Sequence, residues 1–156
     1  MKRGINEVRL FLDCEFTQLT AQAKLISLAL VAEDGRELYV ELLDTWQVDD
    51  CSDFVVEIVL PQLWRSEYVK TAANARSELL GFLGTFDEIL EVVTDAPQFD
   101  WEQLCDLIYE DGHWPSNVRN FPTDATMLEA YKDGSALPHH ALLDARIIAE
   151  MFACIT

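Results

Sequence analysis

Three β-rich apolar runs occupy most of residues 8–43, and they limit the possible folds more than any other feature of the chain. Residues 8–16 and 25–31 are almost continuously strand-like, and residues 38–43 alternate in part. Asp34-Gly35, between the second and third runs, is a hairpin signal. The chain is therefore expected to open with a three-strand antiparallel meander. Its first strand is strongly apolar, which suits the centre of a sheet.

The rest alternates helix and strand. Residues 53–64 have no clear period, and Pro61 should end any element there. Residues 71–86 carry Ala, Leu and Phe at helical spacing, and residues 89–93 are a short buried strand. A helix is expected from Asp100 to about Tyr109, with Asp100 and Gln103 forming a capping box and Asp111-Gly112 stopping it. Residues 113–121 read as a loop. Thr123 or Asp124 can cap a short helix ending at Asp133-Gly134, and a last helix follows Pro138 over residues 140–152. The order βββ-α-β-α-α-α predicts one α/β domain over residues 1–156, a mixed sheet with helices packed on it.

Composition excludes several classes. Half the residues are hydrophobic, so the chain has enough apolar surface to fold. No apolar run reaches the length of a membrane span, and no apolar stretch follows Met1-Lys2-Arg3-Gly4 as in a secretory signal. Cys14, Cys51, Cys105 and Cys154 show no CxxC spacing. They read as small buried hydrophobes in a reducing compartment, not as zinc ligands, and the expected location is cytoplasmic.

Charge excludes more. The formal net charge is −17, and between Arg76 and Arg119 ten Asp or Glu occur with no Lys or Arg. Proteins that grip long duplexes through phosphates are basic, so this chain is not one of them. A solvated acidic face is the ordinary meaning of such a run. An acidic cluster can also hold metal ions, which then present positive charge to a phosphate.

Three short pieces carry chemistry. In Leu12-Asp13-Cys14-Glu15-Phe16, strand alternation puts Asp13 and Glu15 on one face. They repel unless a cation lies between them, or unless the face is simply the solvated side of an edge strand. In Thr94-Asp95-Ala96-Pro97-Gln98-Phe99-Asp100, Asp100 begins a helix after a strand, where it could serve as an N-cap, and Asp95 could cap a turn. In Pro138-His139-His140-Ala141-Leu142-Leu143-Asp144-Ala145, Asp144 enters a helix whose buried stripe is Ala141, Ala145, Ile148 and Phe152. Taken alone, Asp144 would be a solvent-side residue and either histidine a helix-entry residue.

In this order, D-x-E on a first strand, F-D at a helix start and H-x-A-x-x-D-A at a last helix resemble the DEDDh 3′→5′ exonucleases. That family has a ribonuclease H-like fold, and the resemblance spans about Leu10 to Phe152. It implies that Asp13, Glu15, Asp100 and Asp144 hold two divalent cations, Mg²⁺ or Mn²⁺, and that His139 is the general base. Helix geometry alone would instead pair His140 with Asp144, since residues four apart differ by about 40° in azimuth and residues five apart by about 140°. The family pattern selects His139 because Ala141 then falls on the motif's alanine.

The family often continues D-x-E with T-x-G-L, which holds the terminal nucleotide. Here Phe16, Thr17 and Leu19 fit that role, with Phe99 from the second motif, while Gln18 stands at the glycine position and Asp95 where an asparagine is usual. The implied substrate is a single-stranded 3′ end, RNA favoured over DNA, cut to nucleoside 5′-monophosphates. Lys24, Arg119 and Lys132 are the candidate phosphate contacts, and Trp114 and Phe121 the candidate stacking residues. A DNA-directed enzyme of the same chemistry and a catalytically idle interaction module are the competing readings. The resemblance leaves a homodimer open, and no membrane partner is expected.

Overall fold

The computed structural model describes residues 6–131 and 137–156. Three long strands open it, β1 (Glu7–Phe16), β2 (Leu25–Ala32) and β3 (Glu37–Leu42), paired antiparallel as β1–β2 and β2–β3. Gly35, at φ 96°, makes the turn between β2 and β3, a conformation that glycine adopts without a side-chain clash. Two-residue β4 (Val69–Lys70) then pairs parallel with β3. Helix α1 (Ala72–Gly84) crosses to β5 (Ile89–Thr94), which pairs parallel with β1. Helix α2 (Pro97–Ile108) leads to two-residue β6 (Thr123–Asp124), parallel to β5, and α3 (Ala141–Ile155) closes the chain. The sheet order is β4-β3-β2-β1-β5-β6, so β1 is central, and the two-residue edge strands cover only Glu41–Leu42 of β3 and Val93–Thr94 of β5.

Period-two alternation builds the two faces. Leu10, Leu12, Cys14 and Phe16 of β1 point into one apolar core with Ala75, Leu79 and Leu83 of α1 and Leu104, Leu107 and Ile108 of α2. Phe11, on the other face, joins Ala141, Leu142, Ala145, Ile148 and Phe152 of α3. Asp13 and Glu15 share the parity of Phe11, so they lie on the α3 side.

Several expectations change. The second helix starts at Pro97, with Ala96 as its N-cap residue, because proline suits a first helical position and needs no N–H partner there. Asp100 is therefore one turn inside, and there is no Asp100–Gln103 capping box. The Gln103 amide donates instead to the Ala23 carbonyl at 3.3 Å. Residues 123–124 form the short strand β6, and the Asp124 carboxylate accepts from the Thr126 N–H at 2.8 Å, at the start of a 3₁₀ helix over Thr126–Tyr131. The expected helix end at Asp133-Gly134 lies outside the described residues. The aperiodic stretch 53–64 contains a π-helical turn, Val55–Val59, followed by a 3₁₀ turn, Leu60–Gln62. Of the four cysteines, all free, only Cys14 is buried, and Cys154 is exposed. Among the described residues no helix is long and apolar enough to cross a membrane.

Candidate active site

β1, β5, α2 and α3 bring their acidic residues to one end of the sheet. Asp13 and Glu15 come from the C-terminal half of β1, Asp95 and Asp100 from the turn and helix after β5, and Asp144 from the first turns of α3. Together they line a cleft of about 890 Å³, with Phe16, Leu19, Phe54, Phe99 and His139 among the other walls. No Lys or Arg is among the described residues that line it.

Two groups of three share Asp13. Carboxylate oxygens of Asp13, Glu15 and Asp144 lie within 4.8 Å of one another, and so do those of Asp13, Asp95 and Asp100. Asp13, Asp100 and Asp144 are 8%, 1% and 3% exposed, which disposes of the edge-strand reading for Asp13 and the solvent-side reading for Asp144. Buried charges of one sign need partners. Asp100 has one, the Thr94 hydroxyl, which donates to Oδ2 at 2.6 Å. Asp13 Oδ2 and Asp144 Oδ1 are buried with no hydrogen-bond partner among the described residues. These orphaned oxygens, in an all-carboxylate set, fit a hard divalent cation, which takes oxygen ligands.

The cost of holding these acids together shows in their proton affinities. Burial, and then the neighbouring Asp100, Glu15 and Asp144, hold Asp13 well above the usual carboxylate range. Burial, with Asp144 and Asp100 next, pushes Glu15 to about 8. Burial raises Asp100 to about 8 against the opposing Thr94 hydroxyl, and burial followed by Asp95 raises Asp144 to about 7.

A pH dependence follows for the cation-free protein. Between the unfolded carboxylate range near pH 4 and the folded values of about 7 to 8, the folded state binds protons that the unfolded chain has lost. Stability should therefore fall as pH rises through this window and level off above it. Thermal melts in EDTA from pH 5 to 8 should show a falling melting temperature for the wild type and a flatter profile for Asp13→Asn. Equal slopes would mean that the acids do not interact.

The two histidines have different surroundings. His139 has φ 63°, the left-handed region, and this turn of the chain sets it on the cleft wall. Its ring meets Phe54 edge-on, with centroids 5.0 Å apart at 88°. The Gln62 side-chain amide donates to the preceding Pro138 carbonyl at 2.6 Å. His140 is 2% exposed and caps α3, its Nδ1 accepting from the Leu143 N–H at 3.5 Å. It packs against Trp64 and Tyr39 at 4.4 and 4.8 Å. Burial lowers its pKa.

Of the remaining expected site residues, Phe16, Phe99 and Leu19 line the cleft, and Leu19 is 72% exposed. Thr17 is fully buried and does not line it. Its hydroxyl accepts from the Lys24 N–H at 3.0 Å, tying the end of β1 to the start of β2. Trp114 and Phe121 lie away from the cleft, and the Trp114 indole donates to the Val118 carbonyl at 2.8 Å. Lys24 is paired with Asp50 at 2.9 Å and Arg119 with Glu7, while Lys132 lies outside the described residues. Sequence reasoning passed over Phe54, which sits in the aperiodic stretch, and gave Asp95 only a weak functional case.

No protein-family model matches the chain. Two Mycobacterium tuberculosis proteins named 3′-5′ exoribonuclease, from strains CDC 1551 and H37Rv, are each 28% identical to it, with 96% of this chain and 94% of theirs aligned. The crystal structure of cell-death related nuclease 4 (CRN-4) superposes with a TM-score of 0.58 at 17% identity, over 95% of this chain. This chain spans 63% of that one, less than two thirds of its length. In sequence the chain is similar to proteins named 3′-5′ exoribonuclease, and its fold is similar to that of a nuclease.

Proposed function

We propose that this chain is a cation-dependent 3′→5′ exonuclease of the DEDDh type that shortens single-stranded RNA to nucleoside 5′-monophosphates. The observation that carries this reading is the buried Asp13, which has an unpartnered Oδ2 and whose carboxylate lies close to those of Glu15 and Asp144 and those of Asp95 and Asp100. The preference for RNA rests on the names of the Mycobacterium relatives.

Asp13, Glu15, Asp100 and Asp144 would hold two divalent cations, Mg²⁺ or Mn²⁺, with Asp13 common to both. When bound, such cations activate water and stabilise the charge that develops on the leaving oxygen. His139 takes the proton from the attacking water at a ring nitrogen, a task that needs only hydrogen-bond reach. Phe54 limits the swing of the His139 ring, and Gln62 fixes the backbone just before it. Phe16 and Phe99, 6.0 Å apart, with Leu19, offer the terminal nucleotide an apolar wall. Thr17 acts indirectly, by holding the strand end that carries Phe16.

Incubation with 5′-labelled single-stranded RNA and DNA of equal sequence tests this directly. Stepwise shortening from the 3′ end, faster on RNA and stopped by EDTA, is the expected result. Internal fragments, or cutting that persists in EDTA, would refute it, and faster shortening of DNA would refute the RNA preference.

The cleft also sets a salt dependence. With no Lys or Arg among the described residues on its walls, few phosphates can be neutralised by those side chains. The slope of log affinity against log salt should be shallow, about −1, as for one or two phosphate contacts on a single strand. A slope several times steeper would reveal a basic track elsewhere on the surface.

A further inference from the structure

The DEDDh pattern has four acids, and the cleft holds another at Asp95. The second three-carboxylate group, Asp13, Asp95 and Asp100, needs Asp95 to exist. Building on the proposed function, we propose that Asp95 is an additional cation-holding carboxylate: with Asp13 and Asp100 it forms one of two pockets that share Asp13, and it controls cation occupancy of that pocket only.

Two observations support this beyond the gathering of acids. The first is Asp13 Oδ2, buried on a residue more than nine-tenths buried, without a hydrogen-bond partner among the described residues. An oxygen left so exposed to repulsion marks a place where a cation belongs. The second is the way the backbone around residue 95 is fixed. The Thr94 carbonyl accepts from the Ala125 N–H at 2.8 Å, and the Thr94 hydroxyl accepts from the Ala96 N–H at 3.1 Å while donating to Asp100. The Ala96 carbonyl then accepts from the Phe99 and Asp100 N–H groups at 3.0 and 2.9 Å. Residue 95 is thus bracketed by bonds that also set Asp100, so the two carboxylates are presented as a unit, as preorganised ligands should be.

The chemistry differs from that of the neutral amide usual at this position in the family. An amide has one oxygen acceptor and no charge, whereas a carboxylate offers two anionic oxygens, the donor type that hard divalent cations prefer. Asp95 therefore strengthens cation retention at its pocket and does nothing to attract phosphate.

The test is Mn²⁺ titration by calorimetry on the whole protein, without substrate, using wild type, Asp95→Asn and, as a control outside the cleft, Asp106→Asn. Melts in EDTA check that each variant is folded, and Asp95→Ala serves as a second probe should the amide itself bind. Wild type and Asp106→Asn should take up two Mn²⁺. Asp95→Asn and Asp95→Ala should lose at least tenfold in affinity at one site and change little at the other. Two unaltered sites in both Asp95 variants would overturn the assignment of Asp95 and leave the proposed function standing. Wild-type protein that takes up no Mn²⁺ would overturn both.

Discussion

Asp13→Asn is expected to reduce exonuclease activity to background while leaving the cation-free protein as stable as the wild type, or slightly more so. Asp13 is common to both carboxylate groups, so under the proposed function its loss would remove a ligand oxygen from each. Its side chain is buried, and its proton affinity is raised first by that burial and then by four neighbouring acids, Asp100, Glu15, Asp144 and Asp95. The folded state is therefore strained by its charge, and an isosteric amide relieves that strain. Removal of a residue needed only for packing would do the opposite, lowering stability in EDTA together with activity. The check is a rate assay alongside a thermal melt in EDTA.

The histidines should separate just as sharply. His139→Ala is expected to lose about 10² to 10⁴ in kcat, the usual contribution of a general base, with the Mn²⁺-induced gain in melting temperature retained. His140→Ala should keep most of the rate and lose stability. It caps α3 and packs against both Trp64 and Tyr39, and loss of a cap alone costs roughly 0.5–2 kcal/mol. If His140→Ala is the inactive variant and His139→Ala the active one, the roles assigned to these neighbours are reversed.

The sequence was most legible where a period ran long enough to be seen. The alternation of β1 placed Asp13 and Glu15 together opposite Leu12 and Cys14, and the stripe of α3 named Ala141, Ala145, Ile148 and Phe152 as buried but left out Leu142 and Asp144, which are buried too. It was least legible where an element owes its existence to a partner. β4 and β6 have two residues each and are strands only because β3 and β5 run beside them. The start of α2 was misplaced because Asp100 and Gln103 mimic a capping box, while Pro97 begins the helix a turn earlier. Phe54 was passed over because residues 55–59 form a π turn, whose spacing matches neither the helical nor the strand period. The separation of the histidines depends on the left-handed backbone of His139, a non-glycine conformation that no local pattern announces.

Under the proposed function these acids form a single centre whose two cation pockets share Asp13. The most direct measurement is the thermal melt of wild type and Asp13→Asn, each with Mn²⁺ and with EDTA. A ligand bound only by the folded state stabilises it by about 2.7 kcal/mol at a hundredfold excess over its dissociation constant. Mn²⁺ should therefore raise the wild-type melting temperature clearly and leave that of Asp13→Asn almost unmoved. A full Mn²⁺-induced shift in Asp13→Asn, or none in the wild type, would contradict the account.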